Sequence, residues 1–219
     1  MKVRFVTLGC KLNFAESSAL GKELMLRGHQ RASLHEVPDV CVVNTCSVTD
    51  AADHKDRQTI NQLHRKYPNA IIIVTGCYAQ LQPQQIAQIE GVNYVLGQEE
   101  KYSITQLVDE LCDRLEDGVP PTGRPTGYSL EAQKIRVANI REVEEFHGVH
   151  SADDRTRCFI KVQDGCNYFC TYCTIPYARG KSRNPKIEEV VKDAQEALQQ
   201  GAKELIITGV NIGDFGRST

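Results

Sequence analysis

Short runs of apolar, mostly β-branched residues stand out along the first half of the chain. They are VRFVTL at 3–8, VCVVN at 40–44 and AIIIVT at 70–75. Nearly continuous apolar runs of this length are typical of parallel strands that are buried on both faces. A fourth run, VNYVLG at 92–97, predicts one more strand.

Helical patterns separate these runs. Thr49 predicts a helix N-cap and Asp53 favours the first turn, and the helix should continue to about Lys66 because Pro68 cannot extend it. Apolar residues recur with helical spacing after residue 97, at Ile104, Leu107, Val108, Leu111 and Leu115. Alternating strands and helices predict an α/β fold with an open parallel sheet.

The composition and the pattern of apolar residues change at residues 117–154. This segment begins with DGVPPTGRPTG, which is rich in turn residues, and no helical or strand period is sustained after it. We expect it to be a linker between a first domain, residues 1–116, and a second domain, residues 155–219.

The second domain begins with a predicted strand, CFIKVQ at 158–163, and ends with another, ELIITGV at 204–210. Between them, Asn184 is expected to cap a helix with Pro185 at its first position, and Gly201 to end it. The predicted apolar face of this helix holds Ile187, Val190, Val191, Ala194 and Leu198. Two parallel strands and one helix cannot close a barrel, so we expect this domain to be incomplete.

Charge and composition narrow the class of protein. Lys and Arg total 26 against 28 Asp and Glu, so the overall balance indicates neither nucleic acid nor membrane binding. No signal region or apolar run of about 20 residues is present, which predicts a cytoplasmic protein without a membrane partner. The nine cysteines then favour metal or catalytic roles over disulfides.

Three cysteines of the first domain share one position relative to the predicted strands. Cys10, Cys46 and Cys77 each follow the end of a strand. The carboxyl ends of parallel strands lie at one sheet edge, so these thiols are expected to converge on a metal site. The alternative is that each is simply a small buried residue. Other cysteines lie inside predicted elements and are interpreted as structural: Cys41, Cys112 and Cys158.

The sequence GCNYFCTYC places Cys166, Cys170 and Cys173 in a loop after the first strand of the second domain. Three thiolates at this spacing can bind one soft metal centre, either zinc, Cu(I) or an iron–sulfur cluster. No fourth ligand lies close in sequence, since the nearest candidates are His150 and Cys158. The missing ligand predicts an open coordination position for a substrate or cofactor.

The motif CNYFCTYC resembles the CxxxCxxC signature of radical S-adenosylmethionine (SAM) enzymes. In that superfamily the three cysteines hold a [4Fe-4S] cluster whose fourth iron binds SAM. The segments TLGCKLN, NTCSVTDAADHK and TGCYAQ resemble the N-terminal domain of the methylthiotransferases. The resemblance implies that Cys10, Cys46 and Cys77 hold a second [4Fe-4S] cluster. It also implies an open parallel-sheet domain followed by the first strand-helix-strand unit of a radical SAM partial barrel.

Within this family, NTCSVTDAADHK and TGVNIGDFG most resemble the branch that modifies N6-threonylcarbamoyladenosine next to the tRNA anticodon. Other branches modify isopentenyladenosine in tRNA or an aspartate in a ribosomal protein. The resemblance implies that one SAM methylates a sulfur on the auxiliary cluster. A second SAM is cleaved to a radical that activates C2 of the adenine at position 37. The implied partners are the tRNA anticodon loop, a reductase or flavodoxin-type electron donor and a sulfur donor.

Further site residues follow from the same resemblance. Tyr172, Thr208, Gly209 and Asn211 fall where the superfamily binds SAM. Asn13 and Asn44 lie beside the auxiliary cysteines and are candidates for hydrogen bonds near that cluster, although turn and cap chemistry explains them equally well.

Basic residues follow the second cysteine motif. Arg179, Lys181 and Arg183 are candidates to meet RNA phosphate or the threonylcarbamoyl carboxylate. A solvated loop face would have the same composition.

Family members continue into further barrel strands and a β-rich RNA-binding domain, so we expect this chain alone to have little turnover. We also expect its last strand to be an exposed edge that is prone to association. Two other classes stay open, a zinc-binding structural module and an iron–sulfur electron carrier without SAM.

Overall fold

The computed structural model describes residues 1–116, 134–151 and 157–217. Its first sheet contains β1 (Lys2–Thr7), β2 (Gln30–Arg31), β3 (Val40–Thr45), β4 (Ile71–Gly76), β5 (Val92–Leu96) and β6 (Ile135–Arg136). The strand order is β2-β1-β3-β4-β5-β6, and all neighbours are parallel. The predicted α/β fold with an open parallel sheet is confirmed.

Helices cover both faces of this sheet. They are α1 (Lys11–Leu26), α2 (Asp50–Lys66), α3 (Cys77–Leu81), α4 (Pro83–Ala87) and α5 (Ile104–Glu116), with a short 3-10 helix at Glu100–Ser103. Helices α1 and α5 pack on one face and α2, α3 and α4 on the other, because β3 and β4 are apolar on both sides. Thr49 caps α2 as predicted, its side chain accepting a hydrogen bond from the Ala52 backbone N–H.

A second, smaller sheet contains β7 (Val149–His150), β8 (Arg157–Lys161) and β9 (Glu204–Thr208), in that order. Strands β8 and β9 are parallel, and β7 is antiparallel to β8. The helices of this unit are α6 (Ile175–Arg179) and α7 (Ile187–Gln199), followed by a 3-10 turn at Ile212–Asp214. The expected linker thus contributes a strand to each sheet, β6 and β7, although its sequence shows no strand period.

The start of α7 differs from the prediction. The helix begins at Ile187 after Lys186, whose backbone N–H donates to the Glu189 carboxylate at 2.9 Å. The side chain of Asn184 instead accepts a hydrogen bond from the Gly216 backbone N–H at 3.2 Å. A contact between distant segments therefore takes the side chain that local sequence assigns to capping.

The predicted apolar face of α7 is only partly buried. Val190 and Ala194 pack against the small sheet, whereas Ile187, Val191 and Leu198 are exposed. Helix α7 ends as expected before Gly201, which adopts φ +94°. Among the described residues, no helix is long and apolar enough to cross a membrane.

The two sheets are joined through α1, which packs against β7 and β8 as well as against its own sheet. Phe14 of α1 meets Phe159 of β8 edge to face, with ring centroids 5.6 Å apart. Helix α3 also packs against α6. These contacts bring the carboxyl ends of β3 and β4 towards the loop after β8.

Candidate metal centres

The first group of cysteines, Cys10, Cys46 and Cys77, follows three neighbouring strands. Thr7 pairs with Asn44 across β1 and β3, and Thr45 pairs with Gly76 across β3 and β4. This register aligns the strand ends, so the three thiols follow them at one sheet edge. Cys46 and Cys77 are buried, and Cys10 is exposed.

Gly9 permits a close approach within this group. It adopts φ +100°, and a Cβ built on it would lie 2.6 Å from Cys46 Cβ and 2.9 Å from Cys46 Sγ. Any side chain at position 9 would therefore occupy the space beside the Cys46 thiol. The local sequence Gly-Cys is thus required by the shape of the site.

Two asparagines hold the turns that carry the cysteines. The Asn13 side-chain amide donates to the carbonyls of Leu8 and Thr45, each at 2.9 Å. Asn44 donates to the Asn13 carbonyl and to Ser17 Oγ, each at 3.1 Å. These bonds fix the Cys10 and Cys46 segments against each other. Asn13 Oδ1 also accepts from Cys10 Sγ at 3.8 Å, so Asn13 makes both the local contacts and the contact beside a cysteine that the sequence left as alternatives.

Burial controls the electrostatics of this edge. Burial raises the pKa of the Cys46 and Cys77 thiols, and at Cys77 the nearby Arg179 and Lys101 oppose that rise. Gln98 Nε2 donates a hydrogen bond to Cys77 Sγ at 3.4 Å. Asp56 accepts from the Cys46 backbone N–H at 3.0 Å, and burial raises the pKa of this carboxyl to about 7.

The second group, Cys166, Cys170 and Cys173, lies in the loop between β8 and α6. The Cys166 N–H donates to the Gly180 carbonyl at 3.0 Å, and the Cys173 N–H to the Cys170 carbonyl at 2.9 Å. Phe169 has φ +47°, a left-handed conformation that is uncommon for a side chain of this size. Cys170 is exposed and the other two are partly exposed, so this group is open to further ligands.

The spacing of the sulfurs bears on what each group can hold. A tetrahedral zinc site with Zn–S bonds of about 2.3 Å holds its sulfurs about 3.8 Å apart. We call Cys10, Cys46 and Cys77 the first trio and Cys166, Cys170 and Cys173 the second trio. In the described part of the chain, neither trio has all three sulfurs within 4.8 Å of one another. Soft thiolate donors suit zinc, Cu(I) and iron–sulfur clusters, so the donor atoms of each trio fit an iron–sulfur cluster.

The loops that carry the two trios are in contact, and a hydrogen bond connects them. Thr174 Oγ1, next to Cys173, donates to the backbone carbonyl of Ser47, next to Cys46, at 3.1 Å. Helices α3 and α6, which carry or follow the cysteines, pack together at the same place. The sequence predicts each trio separately but not that they lie side by side.

Comparisons with known proteins agree with both parts of this arrangement. Residues 2–97 match a model described as uncharacterized protein family UPF0004, and residues 160–215 match the radical SAM superfamily. The chain is 38% identical over 216 residues to "Threonylcarbamoyladenosine tRNA methylthiotransferase MtaB" of Aquifex aeolicus, covering 99% of this chain and 49% of that protein. The Bacillus subtilis MtaB is 38% identical over 217 residues, with 98% and 44% covered. The chain belongs to the radical SAM methylthiotransferase family.

A relative with another name also matches. "Ribosomal protein uS12 methylthiotransferase RimO" of Chloroflexus aurantiacus is 33% identical over 223 residues, covering 99% of this chain and 48% of that protein. The chain spans about half the length of the curated relatives that it matches.

The residues assigned to SAM by resemblance to this family lie beside the second trio. Thr208 ends β9, the neighbour of β8, and Gly209 approaches Gln163 so closely that a Cβ would lie 2.9 Å from Gln163 Cβ. The Asn211 N–H donates to Gln163 Oε1 at 2.7 Å. Tyr172, between Cys170 and Cys173, is 88% exposed. SAM binding by these residues stays a prediction.

Of the basic residues assigned to RNA, only Lys181 is exposed. Arg179 is 1% exposed and bonded to Glu16, Asp164 and Asn13, so its position does not support a contact with RNA phosphate. Arg183 is also mostly buried and donates to the backbone carbonyls of Arg179 and Lys181. Both arginines stabilise the protein's own turns because the loop folds back onto the first sheet.

A buried group of charges between the sheets has no counterpart in the sequence analysis. Its members are Glu16, Lys101, Lys161, Asp164 and Arg179. One signal was available, since Glu16 lies one turn after Leu12 on the face of α1 that is buried. Gln98 was likewise missed, although it follows β5 as the cysteines follow their strands.

Proposed function

We propose that this chain holds both cluster sites of an enzyme that methylthiolates C2 of N6-threonylcarbamoyladenosine at position 37 of tRNA. The observation that carries the proposal is the hydrogen bond from Thr174 to Ser47, which connects the loops of the two cysteine trios in a chain that resembles MtaB proteins. Each trio would hold a [4Fe-4S] cluster. The second trio would leave one iron for SAM.

The chain's own residues prepare these sites. The first trio is largely shielded from water, since Cys46 and Cys77 are buried. The second trio is open, and the loop after β9 is held beside it by Tyr168, whose hydroxyl donates to Asp214 at 3.0 Å. When bound, the clusters and SAM supply the radical chemistry, and the protein positions and shields it.

The proposed substrate is a base in the single-stranded anticodon loop. Such a base can be splayed out of its stack, which gives a buried site access to an adenine carbon. Lys181 is the exposed cation nearest in sequence to the second trio and is the residue of this loop that we propose to contact phosphate. The chemistry further requires an electron donor, proposed as a reductase or flavodoxin-type protein, and a sulfur donor.

A second substrate class comes from the relatives. RimO of Chloroflexus aurantiacus is named for a ribosomal protein, and a 28% identical Clostridium perfringens protein is named "tRNA-2-methylthio-N(6)-dimethylallyladenosine synthase". The cluster sites would serve either substrate equally. The two MtaB relatives at 38% identity favour threonylcarbamoyladenosine.

The cluster sites are tested by anaerobic reconstitution with iron and sulfide. We expect about eight irons per chain, and a reduced electron paramagnetic resonance (EPR) signal from the second trio that changes when SAM is added. Cys166→Ala should remove about half of the iron and the SAM response, whereas Cys112→Ser, outside both trios, should change neither. Stoichiometric zinc in place of iron would contradict the proposal, and a cluster that ignores SAM would favour a simple electron carrier.

The substrate is tested on a chimera that joins this chain to the part of Aquifex aeolicus MtaB that it does not match. With SAM and reductant, we expect mass spectrometry of tRNA to show methylthiolation of N6-threonylcarbamoyladenosine. Matched assays use isopentenyladenosine tRNA and the ribosomal protein. Modification of either of those alone would reassign the branch while leaving the cluster sites in place.

A further inference from the structure

Arg179 lies at the end of α6 and joins three parts of the molecule through one side chain. Its Nη1 donates to Asp164 Oδ1 at 2.9 Å and to Glu16 Oε1 at 3.1 Å. Its Nη2 donates to Asn13 Oδ1 at 2.6 Å. The planar guanidinium of α6 therefore binds the segment after β8 and two residues of helix α1 at once, which a lysine ammonium cannot do with the same geometry.

Arg179 also stands on a second hydrogen-bonded route between the two trios, besides the bond from Thr174 to Ser47. On one side, the Asn13 side-chain amide donates hydrogen bonds to the carbonyls of Leu8 and Thr45, which lie next to the Cys10 and Cys46 segments. On the other side, the carbonyl of the next residue, Gly180, accepts from the Cys166 N–H. A shift of Arg179 would therefore move the trios relative to each other.

The charges around Arg179 do not cancel. Lys101, Lys161 and Arg179 are three cations, and Glu16 and Asp164 are two carboxylates. A fourth cation, the mostly buried Arg183, lies 3.9 Å from Asp164, so the group carries an excess of positive charge. Asn13 Oδ1, which accepts from Arg179 Nη2 at 2.6 Å, also accepts from Cys10 Sγ at 3.8 Å. The excess charge therefore lies beside the first trio.

We infer that Arg179 is a positioning residue that fixes the separation of the two cysteine trios and places a buried positive charge beside the first of them. The inference rests on the proposed function, in which both trios hold clusters. It assigns Arg179 to the protein's interior and leaves RNA contact to other residues.

The test uses the 219-residue chain, reconstituted anaerobically, as wild type, Arg179→Lys and Arg179→Met. The matched control is Lys192→Met, which removes an exposed cation from α7. Circular dichroism of the apo chain reports folding, and potentiometric EPR reports the reduction of each cluster. When both clusters are reduced, their magnetic interaction reports their separation, because it falls steeply with distance.

We expect Arg179→Met to lower the reduced-to-oxidised ratio of the first cluster by roughly tenfold or more at fixed potential, the order expected when one charge within about 12 Å is lost at an effective dielectric of about 20. It should also broaden the EPR spectrum of the two reduced, interacting clusters, because their separation is no longer fixed. Arg179→Lys should keep the ratio near wild type because it keeps the positive charge. It should still broaden the spectrum, because an ammonium group cannot make all the hydrogen bonds of the planar guanidinium. Lys192→Met should change neither.

If Arg179→Met does not fold, Arg179→Lys and Asn13→Ala take its place, and a broadened spectrum in both supports the inference. Unchanged ratios and spectra in all folded variants, with both clusters present in the wild type, would overturn the inference and leave the proposed function standing. A folded wild type that binds no clusters overturns both.

Discussion

The side-chain hydroxyl of Thr174 donates a hydrogen bond of 3.1 Å to the backbone carbonyl of Ser47. These residues are 127 positions apart in the chain, yet each directly follows a cysteine of a different trio. The bond therefore connects the loop of one sheet with the loop of the other. A sheet edge that gathers three thiols and a loop that holds three more are thus parts of one continuous site.

Glycine at position 9 is predicted to be essential for the first trio. Gly9→Ala places a Cβ 2.6 Å from Cys46 Cβ at a φ of +100°, so the Cys46 segment must move. We expect the reconstituted variant to lose about half of its iron, with the second cluster retained. Iron analysis and EPR measure this.

Gly28→Ala is the matched control, since Gly28 has φ +90° and no atom within 4 Å of the built Cβ. It should cost only the backbone strain, about 1 kcal/mol of unfolding free energy, and keep full iron. Equal iron loss in the two variants would show that strain, and not crowding of Cys46, is the cause.

Glu16 is predicted to be a major contributor to the stability of the apo chain. Its carboxylate lies 2.7 Å from Lys101 and 3.1 Å from Arg179, and none of these side chains is more than 1% exposed. Glu16→Gln leaves buried cations without their partner and should lower the free energy of unfolding by about 3–5 kcal/mol. Urea denaturation measures the loss.

The comparison variant on the same helix is Glu23→Gln, whose carboxylate pairs with Arg27 at the surface. Surface pairs contribute about 0–1 kcal/mol, so this change should be small. Similar losses for both variants would mean that the buried pairs add nothing beyond an ordinary surface bridge.

The Glu16 carboxylate also predicts how the stability of the chain depends on acid pH. Burial alone would raise the pKa of Glu16, but Arg179, Lys101 and Lys161 outweigh it and hold the folded-state pKa at about 2, below the ordinary value of 4.5. The stabilisation is therefore complete above pH 4.5 and is lost as the pH falls towards 2. Asp164, whose pKa the same cations lower, adds to this loss.

Unfolding free energies measured from pH 6 to pH 2.5 should therefore fall steeply in wild type and less steeply in Glu16→Gln. Parallel curves for the two proteins would contradict the assignment of this acid sensitivity to Glu16.

Much of the fold could be predicted because its signals are local. The runs at 40–44 and 70–75 are apolar on both faces, so they identify central strands, and Thr49 marks the start of α2. The position of each cysteine after a strand then predicts one sheet edge. These inferences need only neighbouring residues and the geometry of parallel sheets.

What could not be predicted depends on contacts between distant segments. Glu16 and Arg179 are separated by 163 positions, and nothing in either local sequence indicates that the other neutralises it. Arg179 consequently resembled a solvated loop cation. Asn184 shows the same effect, since its bond to Gly216 displaces the start of α7 to Ile187.

Gln98 is predicted to tune the first cluster. Its side-chain amide donates to Cys77 Sγ at 3.4 Å, and Gln98 is buried. Hydrogen bonds to cluster sulfurs help to set reduction potentials, and donors stabilise the more negative, reduced state. Gln98→Leu should therefore make the first cluster harder to reduce without changing the second, as measured by potentiometric EPR. Gln88→Leu, at an exposed position, controls for the loss of an amide. An unchanged potential in Gln98→Leu at full iron content would show that the Cys77 sulfur does not depend on this bond.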